Sequence, residues 1–158
     1  MARADARVAS CDLPPHPNLQ PMITYSTTRP VSVEQYVGLL RASGLAPRRP
    51  VEDEAAVADM VRHAQLMATA WDGDRLVGAA RTLTDFSYVA YLADLAVDAG
   101  CQRHGVGRRL IEETRSALGP KAWLVLLAAP AAQEYYPRIG FAQHPSAWTL
   151  RAEDPLTP

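Results

Sequence analysis

Cysteine is scarce in this sequence, with two in 158 residues. Cys11 lies in a proline-rich lead and Cys101 in a predicted turn, and neither has histidine, cysteine or carboxylate partners at ligand spacing. That excludes a disulfide framework, predicts no metal, and favours a reducing cytoplasmic setting. Long apolar runs are missing as well. No window of about 20 apolar residues can span a membrane, and the N-terminus lacks the apolar centre of a signal peptide. Arg3 and Arg7 hint at a transit peptide, but Asp5 and Asp12 argue against one. Surplus charge is also absent: at a formal net charge of -1 there is no basic excess of the kind a nucleic-acid binder concentrates on one face.

What is present reads as one domain. Apolar residues make up 48% of the chain, and the length suffices for a core of its own. Residues 1–21 hold Pro14, Pro15, Pro17 and Pro21 with few large apolar groups, so a flexible extension is expected there. A single domain is expected over 22–152 and a frayed tail over 153–158. From Met22 a β-branched and aromatic run predicts a first strand. Ser32 and Gln35 form a capping box that opens a helix with Val33, Tyr36, Val37 and Leu40 on one stripe, ended by Gly44. A second helix starts acidic at Glu52, Asp53 and Glu54, ends basic at Arg62 and His63, and buries Val57, Met60, Val61 and Ala64. Gln65 to Trp71 and Arg75 to Thr84 read as a hairpin about Asp72-Gly73-Asp74, and Tyr88 to Val97 as a third, long strand.

That strand runs into Gln102-Arg103-His104-Gly105-Val106-Gly107-Arg108. Two glycines allow close approach to the backbone, and the free N–H groups of the next helix carry the positive end of its dipole. A diphosphate fits such a turn, although glycine-rich strand-to-helix turns also occur merely as tight connections. Two other phosphate motifs are excluded. A P-loop needs Lys and Ser/Thr where Arg108 and Arg109 stand, and a dinucleotide fingerprint belongs in a first βαβ unit. The helix shows an apolar face of Val106, Leu110, Ile111, Thr114, Ala117 and Leu118, with Arg108/Glu112 and Arg109/Glu113 paired on the other side, and stops at Gly119-Pro120. Trp123 to Ala129 is a continuous apolar run, predicting a strand buried on both faces and parallel to the long strand. Pro130 to Tyr136 opens a short helix, and Phe141 onward with Ala147 to Arg151 suggests a last hairpin.

The segment Leu92 to Leu110, followed by Tyr135-Tyr136-Pro137-Arg138-Ile139-Gly140-Phe141, resembles the GNAT superfamily of acetyl-CoA-dependent N-acetyltransferases. The first stretch matches its Arg/Gln-x-x-Gly-x-Gly/Ala motif and the second its Tyr-x-x-x-Gly-Phe signature. The resemblance implies a three-layer α/β fold, with a mixed and mostly antiparallel sheet of about six to seven strands, a central parallel pair and about four helices. It implies acetyl-CoA as cosubstrate and an amine acceptor, and relatives are commonly dimers, which makes a homodimer an expectation. The backbone of Leu95, Ala96 and Val97 would hold the pantetheine like an added strand, and that of Gln102, Arg103, His104, Gly105, Val106, Gly107 and Arg108 the diphosphate. Tyr136 would stabilise the departing thiolate. A thiol of pKa about 8.5 facing a phenol of about 10 makes full proton transfer uphill by about 2 kcal/mol, so hydrogen bonding is the safer role.

The base is left open. Many relatives carry a glutamate on the long strand where this sequence has Tyr91. Asp94 is the acid within that strand, and a carboxylate there is either functional, as base or substrate anchor, or bonded to a backbone or arginine partner. Water leading to backbone carbonyls is an alternative. Tyr36 and the Arg48/Arg49 pair are candidate acceptor contacts, with packing and a solvated loop as the plainer reading. Arg81 and Asp85, at the end of the third strand, are further candidates to face the acceptor, with a solvated strand end as the plainer reading. Cys101 beside a helix start is not needed for direct transfer. The competing reading is an acyl-CoA-binding sensor of the same fold that transfers nothing.

Overall fold

The computed structural model describes residues 22–157, so the N-terminal extension expected over 1–21 lies outside the described residues. Five strands form one sheet in the order β1-β2-β3-β4-β5. They are β1 Thr24–Ser26, β2 Leu66–Asp72, β3 Arg75–Thr84, β4 Val89–Val97 and β5 Trp123–Val125. The first four pair antiparallel in succession, and β5 runs parallel to β4 over Val89–Tyr91. Helix α1 (Val33–Ala42) opens on the expected capping box, Ser32 Oγ accepting from the Gln35 amide and Gln35 accepting from that of Ser32. Helix α2 (Glu54–Arg62) is capped by the Asp53 carboxylate. Helix α3 (Val106–Ser116) joins β4 to β5, and a single-turn α4 (Tyr135–Arg138) follows.

Helices cover the sheet on two sides. On one side Val106, Leu110 and Ile111 of α3 pack on Ala68, Ala70, Val77, Ala80 and Leu92, with Tyr135, Tyr136 and Phe141 closing the edge of that cluster. On the other side Tyr36, Leu39 and Leu40 of α1 and Val57 of α2 pack on Trp71, Leu76, Ala79 and Ala96. The result is the three-layer mixed α/β arrangement that the sequence implied.

The C-terminal third differs from expectation in three respects. The sheet has five strands among the described residues rather than six or seven. The run from Trp123 to Ala129 is a strand for three residues only, and it is not buried on both faces, since Trp123 is 64% and Val125 43% exposed. The cause is position: β5 is the sheet edge, and α1 packs over β3 and β4 rather than over it. No hairpin forms after Phe141 among the described residues. Local bonds from the Ser146 amide to His144 and from the Arg151 amide to Asp154 turn the backbone on itself, while Trp148 and Leu150 face outward. Ala117, expected on the buried face of α3, caps it and is exposed.

Candidate active site

A single extra residue in β4 organises the site. Arg81 pairs with Asp94 and Thr82 with Leu92, leaving Ala93 unmatched as a β-bulge. Regular alternation puts Leu92 and Asp94 on one face. With the bulge, Leu92 joins the α3 cluster and Asp94 turns toward α1. Just before this point β5 ends its pairing at Tyr91. The β4 edge from Leu92 to Val97 therefore has no neighbouring strand on the β5 side among the described residues, which leaves a strand-shaped opening.

On the α3 side the opening leads to the turn. The amides of Cys101 and Gln102 bond back to Asp98 and Ala99, and helical bonding resumes with the Arg109 amide on the Gly105 carbonyl. The six amides from Arg103 to Arg108 donate to no acceptor among the described residues. A run of open N–H groups at a helix start is an anion cradle. Gly105 sits at φ 82° and Arg103 at φ 65°, both in the left-handed region, which curls the turn so that its amides converge. At Gly107 an added Cβ would stand 3.1 Å from the Tyr135 hydroxyl and 3.7–3.8 Å from Val97 and Leu95, so glycine keeps this floor open. Gln102 is occupied structurally, its side-chain amide donating to the Val97 carbonyl at 2.9 Å and pinning the turn to the end of β4. His104 is exposed, and Arg108 pairs with Glu112 at 3.0 Å while remaining solvent-facing. Beyond the turn an open groove of about 770 Å³ runs between α3 and Ile139–Ala142, bordered by Arg108 and Arg115.

Tyr136 is half-buried and stacked edge-on between Tyr135 and Phe141, with centroids 5.3 and 5.5 Å away. Its hydroxyl makes no hydrogen bond among the described residues, and burial, with Tyr135 beside it, pushes the phenol above its usual range. It stays protonated at neutral pH and free to donate. Tyr135, which the sequence reading passed over, places its hydroxyl nearer the turn. Burial raises its pKa too, against the opposing charge of Arg108.

On the α1 side Asp94 is buried and heavily engaged. One carboxylate oxygen accepts from Arg49 Nε, and the other accepts from Arg81 Nε and, at 2.7 Å, from the Tyr36 hydroxyl. Burial alone raises a carboxyl pKa, but here the Tyr36 hydrogen bond and the charges of Arg81 and Arg49 outweigh it and hold Asp94 below the usual range. Asp94 is thus ionised at neutral pH and of low basicity, the arginine-bonded alternative of the sequence reading. Tyr36 is fully buried and its phenol is pushed far up by burial and the adjacent carboxylate, so the packing reading holds for it. Arg49 also donates to the Ala93 carbonyl at 2.8 Å, tying the loop before α2 to the bulge. Arg81, expected at a solvated strand end, is instead nine-tenths buried. Asp85 holds a turn: its carboxylate accepts from the amides of Ser87, Tyr88 and Val89, which lower its pKa. Cys101 is buried. No cluster of metal-ligating side chains occurs among the described residues, and no helix there is long and apolar enough to cross a membrane.

An open strand edge that leads into a row of unpaired amides offers main-chain donors to an extended ligand with an anionic end. A family model described as an acetyltransferase (GNAT) domain matches residues 45–152. The chain belongs to the GNAT acetyltransferase family. Among solved structures it is similar to a probable acetyltransferase of unknown function from meticillin-resistant Staphylococcus aureus, at 22% identity and TM-score 0.68 over 84% of this chain and 100% of that one. A Deinococcus radiodurans protein described as a putative acetyltransferase aligns at 23% identity and TM-score 0.67 over 82% and 88% of the two chains. The Escherichia coli ribosomal-protein-S18-alanine N-acetyltransferase aligns at 23% identity and TM-score 0.59 over 78% and 79%. At these identities the likeness is one of fold. No curated protein matches the chain in sequence.

Proposed function

We propose that this protein transfers an acetyl group from acetyl-CoA to a primary amine by direct attack in a ternary complex. The observation that carries the reading is the row of six open amides, Arg103 to Arg108, at the end of the unpaired β4 edge. A diphosphate suits those amides, with Arg103 and Arg108 supplying counter-charge. The pantetheine arm suits the edge at Leu95, Ala96 and Val97, where main-chain groups bond it as an added strand. The groove bordered by Arg108 and Arg115 gives room for the nucleotide end.

When bound, acetyl-CoA supplies an activated thioester. The chain's own part is to orient and to stabilise charge. A main-chain N–H of Leu95 to Val97 polarises the thioester carbonyl, and the protonated Tyr136 hydroxyl donates to the sulfur as it leaves. Asp94 acts as an anchor for Arg49 and Arg81 rather than as the base. The amine therefore arrives neutral or loses its proton to water held by backbone carbonyls. The protein works as a cytoplasmic enzyme without a metal, and a homodimer is compatible with its exposed β5 edge.

The test is thermal unfolding with acetyl-CoA, CoA, longer acyl-CoAs, ATP and NAD, followed by thiol release over an amine panel. A ligand at about 100 times its dissociation constant adds about 2.7 kcal/mol, visible as a raised midpoint. The expected result is a shift with acetyl-CoA and CoA but not with ATP or NAD, and thiol release with at least one amine. Binding without release from any amine would make the chain an acyl-CoA sensor, and no shift would overturn the cofactor site.

A further inference from the structure

The charge around Asp94 does not balance. One carboxylate meets two guanidinium groups, and no other acid among the described residues pairs with Arg49 or Arg81. Tyr36, the third partner, is neutral. The side chains of Asp94, Arg81 and Arg49 are 0%, 10% and 22% exposed. A surplus positive charge this deep in the protein is costly unless an anion completes it.

The two arginines are not equivalent. Arg49 has all three nitrogens engaged, with Nε on Asp94, Nη1 on the Arg48 carbonyl at 2.7 Å and Nη2 on the Ala93 carbonyl at 2.8 Å. Arg81 commits Nε to Asp94 and has the Tyr36 hydroxyl beside its guanidinium, while its two terminal nitrogens donate to no backbone or carboxylate group among the described residues. A planar pair of spare donors in fixed geometry matches a carboxylate. Asp94 and Tyr36 set that geometry.

The place matters as much as the charge. Arg81 is directly opposite Asp94 in the β3–β4 register, beside the bulge at Ala93, on the side of β4 away from α3. The cofactor reading puts the thioester on the α3 side of the same bulge. A molecule held here by its anionic end presents its other end to the opening. Cationic acceptors with no acid group are repelled by the same surplus.

We propose that the acceptor is a small amine that also carries a carboxylate, an amino-acid-like molecule whose acid group is taken by the spare donors of Arg81 within the Arg49–Asp94–Arg81 cluster. The inference rests on the transferase reading and narrows its substrate class. Arg81 is then a substrate-binding residue, while Arg49, Asp94 and Tyr36 are positioning residues.

The experiment compares L-amino acids with their C-terminal amides and with the corresponding decarboxylated amines. Thiol release from acetyl-CoA is followed at one pH near neutrality, and each rate is divided by the fraction of neutral amine that the amine pKa of that member gives. The expected result is a kcat/KM at least about tenfold higher for an acid than for its amide, as a charge-assisted hydrogen-bond pair implies. The preference collapses in R81Q, with the loss for the acid read in KM rather than in kcat. If R81Q does not fold, R49Q, at the less buried arginine of the pair, is expected to weaken the preference and R49K to restore part of it. Equal rates for acid and amide, or faster transfer to polyamines, would overturn the proposal. A second readout needs no turnover: N-acetyl-L-amino acids are expected to raise the unfolding midpoint and their amides are not, and equal shifts, or none from the acids, would also overturn it. Failure of the transferase reading is recognised separately, by the absence of any acetyl-CoA shift.

Discussion

The two sides of β4 at the bulge make opposite use of the chain. Toward α3 the site consists of main-chain amides and missing side chains: open N–H groups at Arg103 to Arg108, glycines at 105 and 107, and a strand edge. Toward α1 it consists of side chains, with Asp94, Arg49, Arg81 and Tyr36 locked in one buried cluster. A main-chain site tolerates changes of side chain and fails when a Cβ is added, whereas a side-chain cluster fails when any member is removed. The contrast suits an enzyme that keeps one common cosubstrate while its acceptor varies.

Breaking the cluster is expected to have the largest effect. Asp94→Ala leaves two guanidinium groups without their carboxylate in a buried site, and a loss of roughly 3–5 kcal/mol in urea unfolding is expected. A loss under about 1 kcal/mol would mean that the cluster is solvated and the contrast misplaced. On the opposite side Gly107→Val drives a side chain toward the Tyr135 hydroxyl and the β4 edge. Acetyl-CoA affinity, read by calorimetry, is expected to fall by about tenfold or more, with unfolding changed by only about 1–2 kcal/mol.

Tyr136→Phe separates chemistry from binding. Removing one donor to the leaving sulfur is expected to lower kcat by about 10–100-fold with the acetyl-CoA dissociation constant within about twofold. Unchanged turnover would shift attention to Tyr135, whose hydroxyl is nearer the turn.

The pH dependence sharpens the role of Asp94. Its folded pKa is lowered, so its contribution to stability is complete above the unfolded value of about 3.9 and drains away as pH falls through the lower folded value. Urea midpoints of the wild type and Asp94→Asn are therefore expected to differ most near neutrality and to converge in acid. Turnover is expected to rise with pH as the amine loses its proton, with no acidic limb that Asp94→Asn removes. Least affected is His104→Ala: the turn contributes its amide, and cofactor affinity is expected to stay within about twofold.

Local pattern was readable wherever neighbours in sequence are neighbours in space. The capping box at Ser32, the β2–β3 hairpin and the Arg–Glu pairs on α3 all involve residues within a few positions of each other. The glycine turn belongs to the same category. The charge cluster does not, because Tyr36, Arg49, Arg81 and Asp94 come from α1, the loop after it, β3 and β4, and Arg81 alone looks like an ordinary strand-end arginine. The bulge at Ala93 has no sequence mark either, since alternation along β4 reads equally well without it. The run at Trp123 misled for a related reason: apolar composition reports what a strand is able to bury, and position in the sheet decides what it does bury.

Composition, periodicity and turn chemistry by themselves determined the element order from Met22 to Tyr136, the glycine turn and its place between a strand and a helix, because these follow from short-range sterics and hydrogen bonding. Tertiary structure alone decided which face Asp94 presents, where β5 parts from β4, and that two arginines share one carboxylate. Those outcomes depend on how distant segments pack, and packing is a property of the assembled sheet rather than of any one stretch of it.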